Sequence, residues 1–130
     1  MQEVKHLAKV ESAGLNITDR GILMVNLTVH YEEGLHQNIL NLVLDDYDEE
    51  QKALVGSDYG CEIIRQLLLF FNVDDFNDMA GQVVYVIGKQ PSGFLSFKPE
   101  SIEHLNILKG SRPARFDWKQ VAKDFIEEKV

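Results

Sequence analysis

Along the first 45 residues, apolar and polar positions alternate with a period of two, the mark of half-buried strands. From Val4 to Ile17, Ala8 and Val10 alternate with Lys9 and Glu11 in a strand or bent strand. Thr18-Asp19-Arg20-Gly21 is turn chemistry, with Gly21 free to take a positive φ. From Ile22 to Tyr31, Val25, Leu27, Val29 and Tyr31 alternate with Asn26, Thr28 and His30. Glu32-Glu33-Gly34 supplies a second turn. Asn38 to Leu44 then reads as a third strand, with Ile39 and Asn41 on one face and Leu40, Leu42 and Leu44 on the other. Three strands joined by short turns predict an antiparallel meander.

After Val55-Gly56 the period lengthens. Ser57 is a helix N-cap candidate, and Asp58 in the first turn suits the helix dipole. Tyr59, Ile63, Leu67 and Phe70/Phe71 form one stripe that Ile64 and Leu68 widen, and Asn72 can end the helix in the left-handed conformation. A short helical turn over Asp74 to Met79, stopped by Gly81, precedes a strand from Gln82 to Gly88. Pro91-Ser92-Gly93 turns the chain into a partner strand at Phe94-Leu95-Ser96-Phe97, and Ile102 to Leu108 adds a short edge strand. Asp117 caps a last helix in a capping box with Gln120, with Phe116 and Val121 at the staple positions. Trp118, Val121, Ala122, Phe125 and Ile126 make its apolar stripe.

The predicted class is α+β: a mainly antiparallel sheet in β-β-β-α-β-β-α order, packed against a central helix, with a C-terminal amphipathic helix. Residues 1–109 form one domain, 110–116 a basic loop, and 117–130 a helix docked on that domain or on a neighbouring subunit.

A chain of 130 residues suits a single core. The formal net charge of −8 repels phosphate and anionic lipid, which argues against direct nucleic-acid binding and a membrane-surface role. The charge is uneven: residues 1–88 hold 15 acids and 5 bases, whereas residues 89–130 hold 6 acids and 8 bases. Cys61 is the only cysteine, so no internal disulfide forms, and its place in a helical pattern predicts a buried, inert thiol. With no signal peptide and no apolar run of about 18 residues, a cytoplasmic location is expected.

The densest chemistry lies between the third strand and the first helix. Five carboxylates, Asp45, Asp46, Asp48, Glu49 and Glu50, stand within seven residues. They read as an acidic loop, either solvated or docking on a basic surface through opposed potentials. The register does not fit a calcium loop. Gly56, Ser57, Tyr59 and Gly60 open a helix and form a second candidate, a ligand site built on free backbone N–H groups. The competing reading is a glycine turn that lets the helix pack closely; no lysine follows, as a phosphate loop requires. His30 and His36 flank one turn and can approach each other, but the four histidines have no metal-ligand spacing. Arg112 and Arg115, with Lys109, form a basic loop able to meet a partner or the acidic body of a second copy. No metal, cofactor or catalytic set is expected.

Asp19-Arg20-Gly21-Ile22-Leu23, Leu44-Asp45, Tyr47-Asp48, the run from Val55 to Arg65, Val73, Phe76 and Gly81-Gln82-Val83-Val84 together resemble small uncharacterised proteins of phages and prophages, over roughly residues 8–88. The chain departs from that pattern at His36 to Asn41, where such proteins often carry glycines, and at Phe76, where they carry tryptophan. The resemblance implies a phage-linked accessory protein in an infected cell and supplies no catalytic residues. The expected function is a non-enzymatic inhibitor of a host defence macromolecule, anti-CRISPR-like or otherwise anti-defence, acting through its acidic surface on a basic host protein. The alternatives are a small-ligand or nucleic-acid-associated module of OB type, and a small enzyme. A homo-oligomer is compatible with each.

Overall fold

A computed structural model describes residues 3–105 and 115–128, with side chains through Asp124. The alternating N-terminal segments form β1 (Glu3–Ile17), β2 (Leu23–Tyr31) and β3 (His36–Val43). The predicted turns join them: Gly21 and Gly34 both take positive φ, at 78° and 91°. The residues predicted to form a loop after β3 instead pair as a small hairpin, β4 (Asp45–Asp48) with β5 (Ala53–Gly56). Helix α1 (Asp58–Phe71) follows, then a 3-10 turn at Phe76–Met79, β6 (Val83–Lys89), β7 (Lys98–Glu103), β8 (Arg115–Asp117) and α2 (Trp118–Glu128).

Two further corrections concern the C-terminal half. Phe94–Ser96 is a 3-10 turn, not a strand, and the partner of β6 is Lys98–Glu103. The rings explain the difference. Phe94 and Phe97 both point onto His6 and Tyr31, which an extended chain with alternating faces would not allow for residues three apart. The edge strand predicted over Ile102 to Leu108 overlaps only the end of β7; residues 106–114, including Arg112, lie outside the described residues.

The large sheet has the order β3-β2-β1-β6-β7-β8, antiparallel throughout. Strand β1 is shared between two halves. Glu3 to Lys9 pair with β6, while Ala8 to Ile17 pair with β2. Register shifts at Val10/Ser12, Leu27/Thr28 and Ile87/Gly88 are bulges that bend strands and curl the sheet. The β2–β3 bulge leaves Leu40, Leu42 and Asn41 on their predicted faces and changes the assignment of Ile39. Thr28 pairs with Asn38 and Leu27 with Leu40, so Ile39 is the extra residue, and Ile39 and Leu40 are both buried. Asn38 and Asn41 consequently point to the outer face.

The inner face carries the core. Val10, Val25, Leu27, Val29, Val84 and Val86 pack with Ile63, Leu67, Phe70 and Phe71 of α1. Caps hold that helix as predicted. Ser57 Oγ accepts from Gly60 N at 2.9 Å, and Asn72 is left-handed at φ 55°, with Val73 N donating to Leu68 O at 3.1 Å. Cys61 falls on the helix face away from the core and is exposed, contrary to the buried thiol predicted. Helix α2 docks on its own domain: Trp118 and Val121 join the core with Phe116, and Asp117 Oδ1 caps it by accepting from Gln120 N at 3.0 Å.

Side chains tie the β2–β3 end of the sheet to the segment that precedes β7. Tyr31 is fully buried, donates its hydroxyl to Gln37 Oε1 at 2.6 Å, and meets the rings of His6, Phe94 and Phe97 edge-on. Gln37 Nε2 reaches the carbonyl of Phe97 at 3.4 Å, linking β3 to the segment before β7. Burial, and then the nearby Glu33 charge, push the Tyr31 hydroxyl well above its ordinary pKa, and burial raises Tyr59 as well. A phenol whose folded pKa is raised contributes stability fully present below the unfolded value of about 10 and lost above it. Unfolding free energy is therefore expected to fall steadily from about pH 9 to pH 11, and urea titrations across that interval measure it. A flat profile would mean that both hydroxyls ionise as readily in the folded chain as in the unfolded one.

Candidate binding surface

The acidic segment is not one uniform knob, because its backbone is a hairpin and two of its carboxylates hold that hairpin in place. Asp45 Oδ2 accepts from Leu23 N at 2.8 Å, fastening the start of β4 to the start of β2. Asp48 Oδ1 accepts from Glu50 N at 2.9 Å and Gln51 N at 3.2 Å, closing the hairpin turn, in which Lys52 takes a φ of 53°. Asp46 is exposed on the strand, and Glu49 and Glu50 project from the tip. Between the strands, Tyr47 faces Leu54, and both are exposed, at 61% and 40%.

The second candidate set is occupied by packing. Ser57 is buried, and its hydroxyl donates to the Leu44 carbonyl at 2.5 Å while accepting from Gly60 N. A side chain at Gly60 would run into the Leu44 carbonyl, so the helix start sits directly on the end of β3. Gly56 is exposed with open space around it, and Tyr59 is half-buried against the core. Ser57 and Gly60 work as a helix-to-strand joint. Arg115 is engaged elsewhere: its guanidinium lies 3.5 Å from Glu103 and 3.7 Å from Glu3, at the β8 edge of the sheet. The acidic hairpin follows β3 at the other end of the strand order, so the structure does not join Arg115 to residues 45–50.

A surface that the linear pattern does not single out lies on the outer face of β1, β2 and β3. The register places its side chains in rows: Lys9, His30 and His36; Ser12, Thr28 and Asn38; Gly14, Asn26 and Asn41; Asn16, Met24 and Val43. His30 and His36 stack face to face, with ring centroids 4.2 Å apart and planes 7° from parallel. Glu11, the extra residue of the β1 bulge, binds His36 Nδ1 through Oε2 at 2.7 Å. Asn26 Nδ2 donates to Asn16 Oδ1 at 2.6 Å. Lys9 and Glu11 are the charged groups of these rows, one of each sign, in a chain of net charge −8. At the Lys9 end, the face runs into a shallow cleft of about 310 Å³ lined by Leu7, Lys9, His30, Glu32 and Val83. At the other end, the β1–β2 turn presents exposed Arg20.

This surface offers amide and hydroxyl groups, a pair of stacked rings and little net charge. It suits a ligand with flat faces and hydrogen-bonding edges. The signal available in sequence was Asn26-x-Thr28-x-His30, which reads equally well as the wet side of any strand; the Asn38/Asn41 contribution was hidden by the bulge at Ile39. Among the described residues, no three His, Cys, Asp or Glu side chains gather as metal ligands would, and no helix is long and apolar enough to cross a membrane. Comparison of the whole chain with protein-family models and with curated proteins finds no match.

Proposed function

We propose that this protein is a non-enzymatic binding module of OB type that takes single-stranded nucleic acid on the outer face of β1–β3. The observation that carries the reading is the neutral polar face with its His30–His36 stack, set on that strand order. In OB barrels a meander of three strands is followed by a helix and a hairpin that returns to the first strand, and the face of strands 2 and 3 with the adjoining loops holds oligonucleotides. Support comes from β1, which pairs with β2 along one half and with β6 along the other, and from α1, which lies between β3 and β6 in the chain. Net charge argued against nucleic acid, but charge acts locally. The carboxylates of the hairpin are absent from these rows, and bases stack on flat rings whatever their sequence.

With Lys9 and Arg20 as the nearby cations, few phosphates are neutralised, so binding should depend weakly on salt. A slope of log K against log salt between about −1 and −2 is expected. His30→Ala combined with His36→Ala should weaken binding of a fluorescent oligothymidine by about tenfold or more, read by anisotropy. Glu49→Gln with Glu50→Gln should leave it unweakened. Failure of the native protein to bind the oligonucleotide at about 100 µM, the weak end of non-specific affinities, would sink the proposal.

A second reading rests on the hairpin. Exposed Tyr47 and Leu54 beside Glu49 and Glu50 form an apolar patch with an acidic rim, suited to a basic protein surface. This is the inhibitor of a host defence macromolecule that the phage resemblance implies. It predicts the opposite mutant pattern: partner binding lost with Glu49→Gln and Glu50→Gln, and untouched by the histidine changes.

A further inference from the structure

Gly14 is a glycine that the fold itself does not require. Gly21, Gly34 and Gly81 take positive φ, and Gly60 and Gly88 are pressed against neighbouring backbone. Gly14 has neither reason: its φ lies outside the left-handed region, and an added Cβ would meet nothing within 4 Å. Gly56 and Gly93 are as open, but one ends β5 and the other stands in a turn. Gly14 lies inside β1, paired with Asn26 of β2. A glycine there gives up side-chain packing and backbone entropy. Such a residue marks a bulge, a bend, or the close approach of a ligand or another backbone. The β1 bulge is at Glu11, the register with β2 is unbroken from Ser12 to Ile17, and no backbone comes near. Approach of a ligand is the reason left.

The missing side chain leaves a gap in the outer face, between the row of Ser12, Thr28 and Asn38 and the row of Asn16, Met24 and Val43. At about 3.4 Å per residue, Ser12 and Asn16 stand about 7 Å to either side of it. Asn26 and Asn41 stand beside it in its own row. The bond of 2.6 Å from Asn26 Nδ2 to Asn16 Oδ1 fixes these two amides against each other at the side of the gap. It leaves Asn16 Nδ2 to donate and Asn26 Oδ1 to accept. We propose that Gly14 seats one base of the bound single strand, with the flat of the ring on the Gly14 backbone and its hydrogen-bonding edge on the Asn16–Asn26 pair. Unpaired bases are held in this way, by a flat contact and by bonds to the edge that a duplex would hide. None of these three rows carries a charged side chain, so a phosphate would find no cation here. Lys9 and Arg20 lie beyond them, towards the two ends of the face. The inference rests on the nucleic-acid reading and adds to it which part of the ligand meets the middle of the sheet.

Gly14→Val in the full chain tests it, with the fluorescent oligothymidine as probe. Valine suits a strand and finds open space, so the urea midpoint should hold or rise. The same side chain fills the seat, so the dissociation constant should rise at least about tenfold, in the range for losing one stacked base. Gly56→Val puts the same side chain in an equally open place off the face and should change affinity by less than about twofold. NMR gives a second readout that needs no variant. On titration with the oligonucleotide, the Gly14 backbone amide and the Asn16 and Asn26 side-chain amides should shift together with the His30 and His36 ring signals. Gly14→Val binding as tightly as the native chain would overturn the inference, and so would Gly14 and Asn26 signals unmoved at saturation. If the paired His30→Ala and His36→Ala changes still weakened binding, the nucleic-acid reading would stand without it. A native chain that binds no oligonucleotide would overturn both.

Discussion

Alanine at Gly60 is expected to lower the unfolding free energy by about 2–3 kcal/mol, the upper range for overpacking. The added methyl would meet the carbonyl and Cβ of Leu44. A carbonyl held in the chain cannot rotate out of the way as the end of a long side chain can. Moving it would also disturb the Ser57 hydroxyl that donates to it and, through Ser57, the cap on Gly60 N. Gly56 provides the control. It lies four residues earlier, and a methyl group there would meet nothing within 4 Å, so alanine at Gly56 should stay within about 0.5 kcal/mol of the native value. Urea denaturation of both variants measures the contrast. Equal midpoints would mean that α1 does not seat on β3 in this way, and would return Gly56 to Gly60 to consideration as a ligand site.

That joint also shows what the sequence could and could not convey. Caps are local chemistry, so Ser57, Asn72 and Asp117 could be placed from their neighbours alone, and each performs the capping role predicted. The same holds for the turns at Gly21 and Gly34, where positive φ favours glycine. The meander was legible because one face of each strand is buried and the other wet. Errors arose where tertiary contact sets the conformation. Phe94 and Phe97 look like strand residues, yet the aromatic cluster around Tyr31 takes both rings on one side and winds the chain between them into a 3-10 turn. Asp45 and Asp48 look like surface charge, yet their carboxylates accept from backbone N–H groups at Leu23, Glu50 and Gln51. Nothing in a run of acids distinguishes the two that fasten the hairpin from the two at its tip. The polar face was the hardest to see. Its residues come from three strands, and a one-residue bulge at Ile39 decides whether Asn38 and Asn41 look outward together.

Tyr31→Ala is expected to cost about 3–5 kcal/mol, the range for removing a buried aromatic side chain and a large share of the roughly 5–15 kcal/mol that holds a typical domain folded. The ring fills the space between His6, Phe94 and Phe97, and no neighbouring backbone can close so large a gap. Tyr31→Phe isolates the hydroxyl. It keeps the ring and leaves Gln37 Oε1 without its 2.6 Å donor, which should cost about 1–2 kcal/mol. The pair also separates stability from binding. Tyr31 points inward, while His30, its neighbour in β2, points outward and stacks on His36. Tyr31→Phe should therefore lower the urea midpoint and leave oligonucleotide affinity unchanged at temperatures where the protein is folded. The paired His30→Ala and His36→Ala changes, both at exposed positions, should do the reverse. If affinity instead followed stability through both sets, the outer face would be acting only as part of the scaffold, and binding would have to be sought at the Tyr47–Leu54 hairpin.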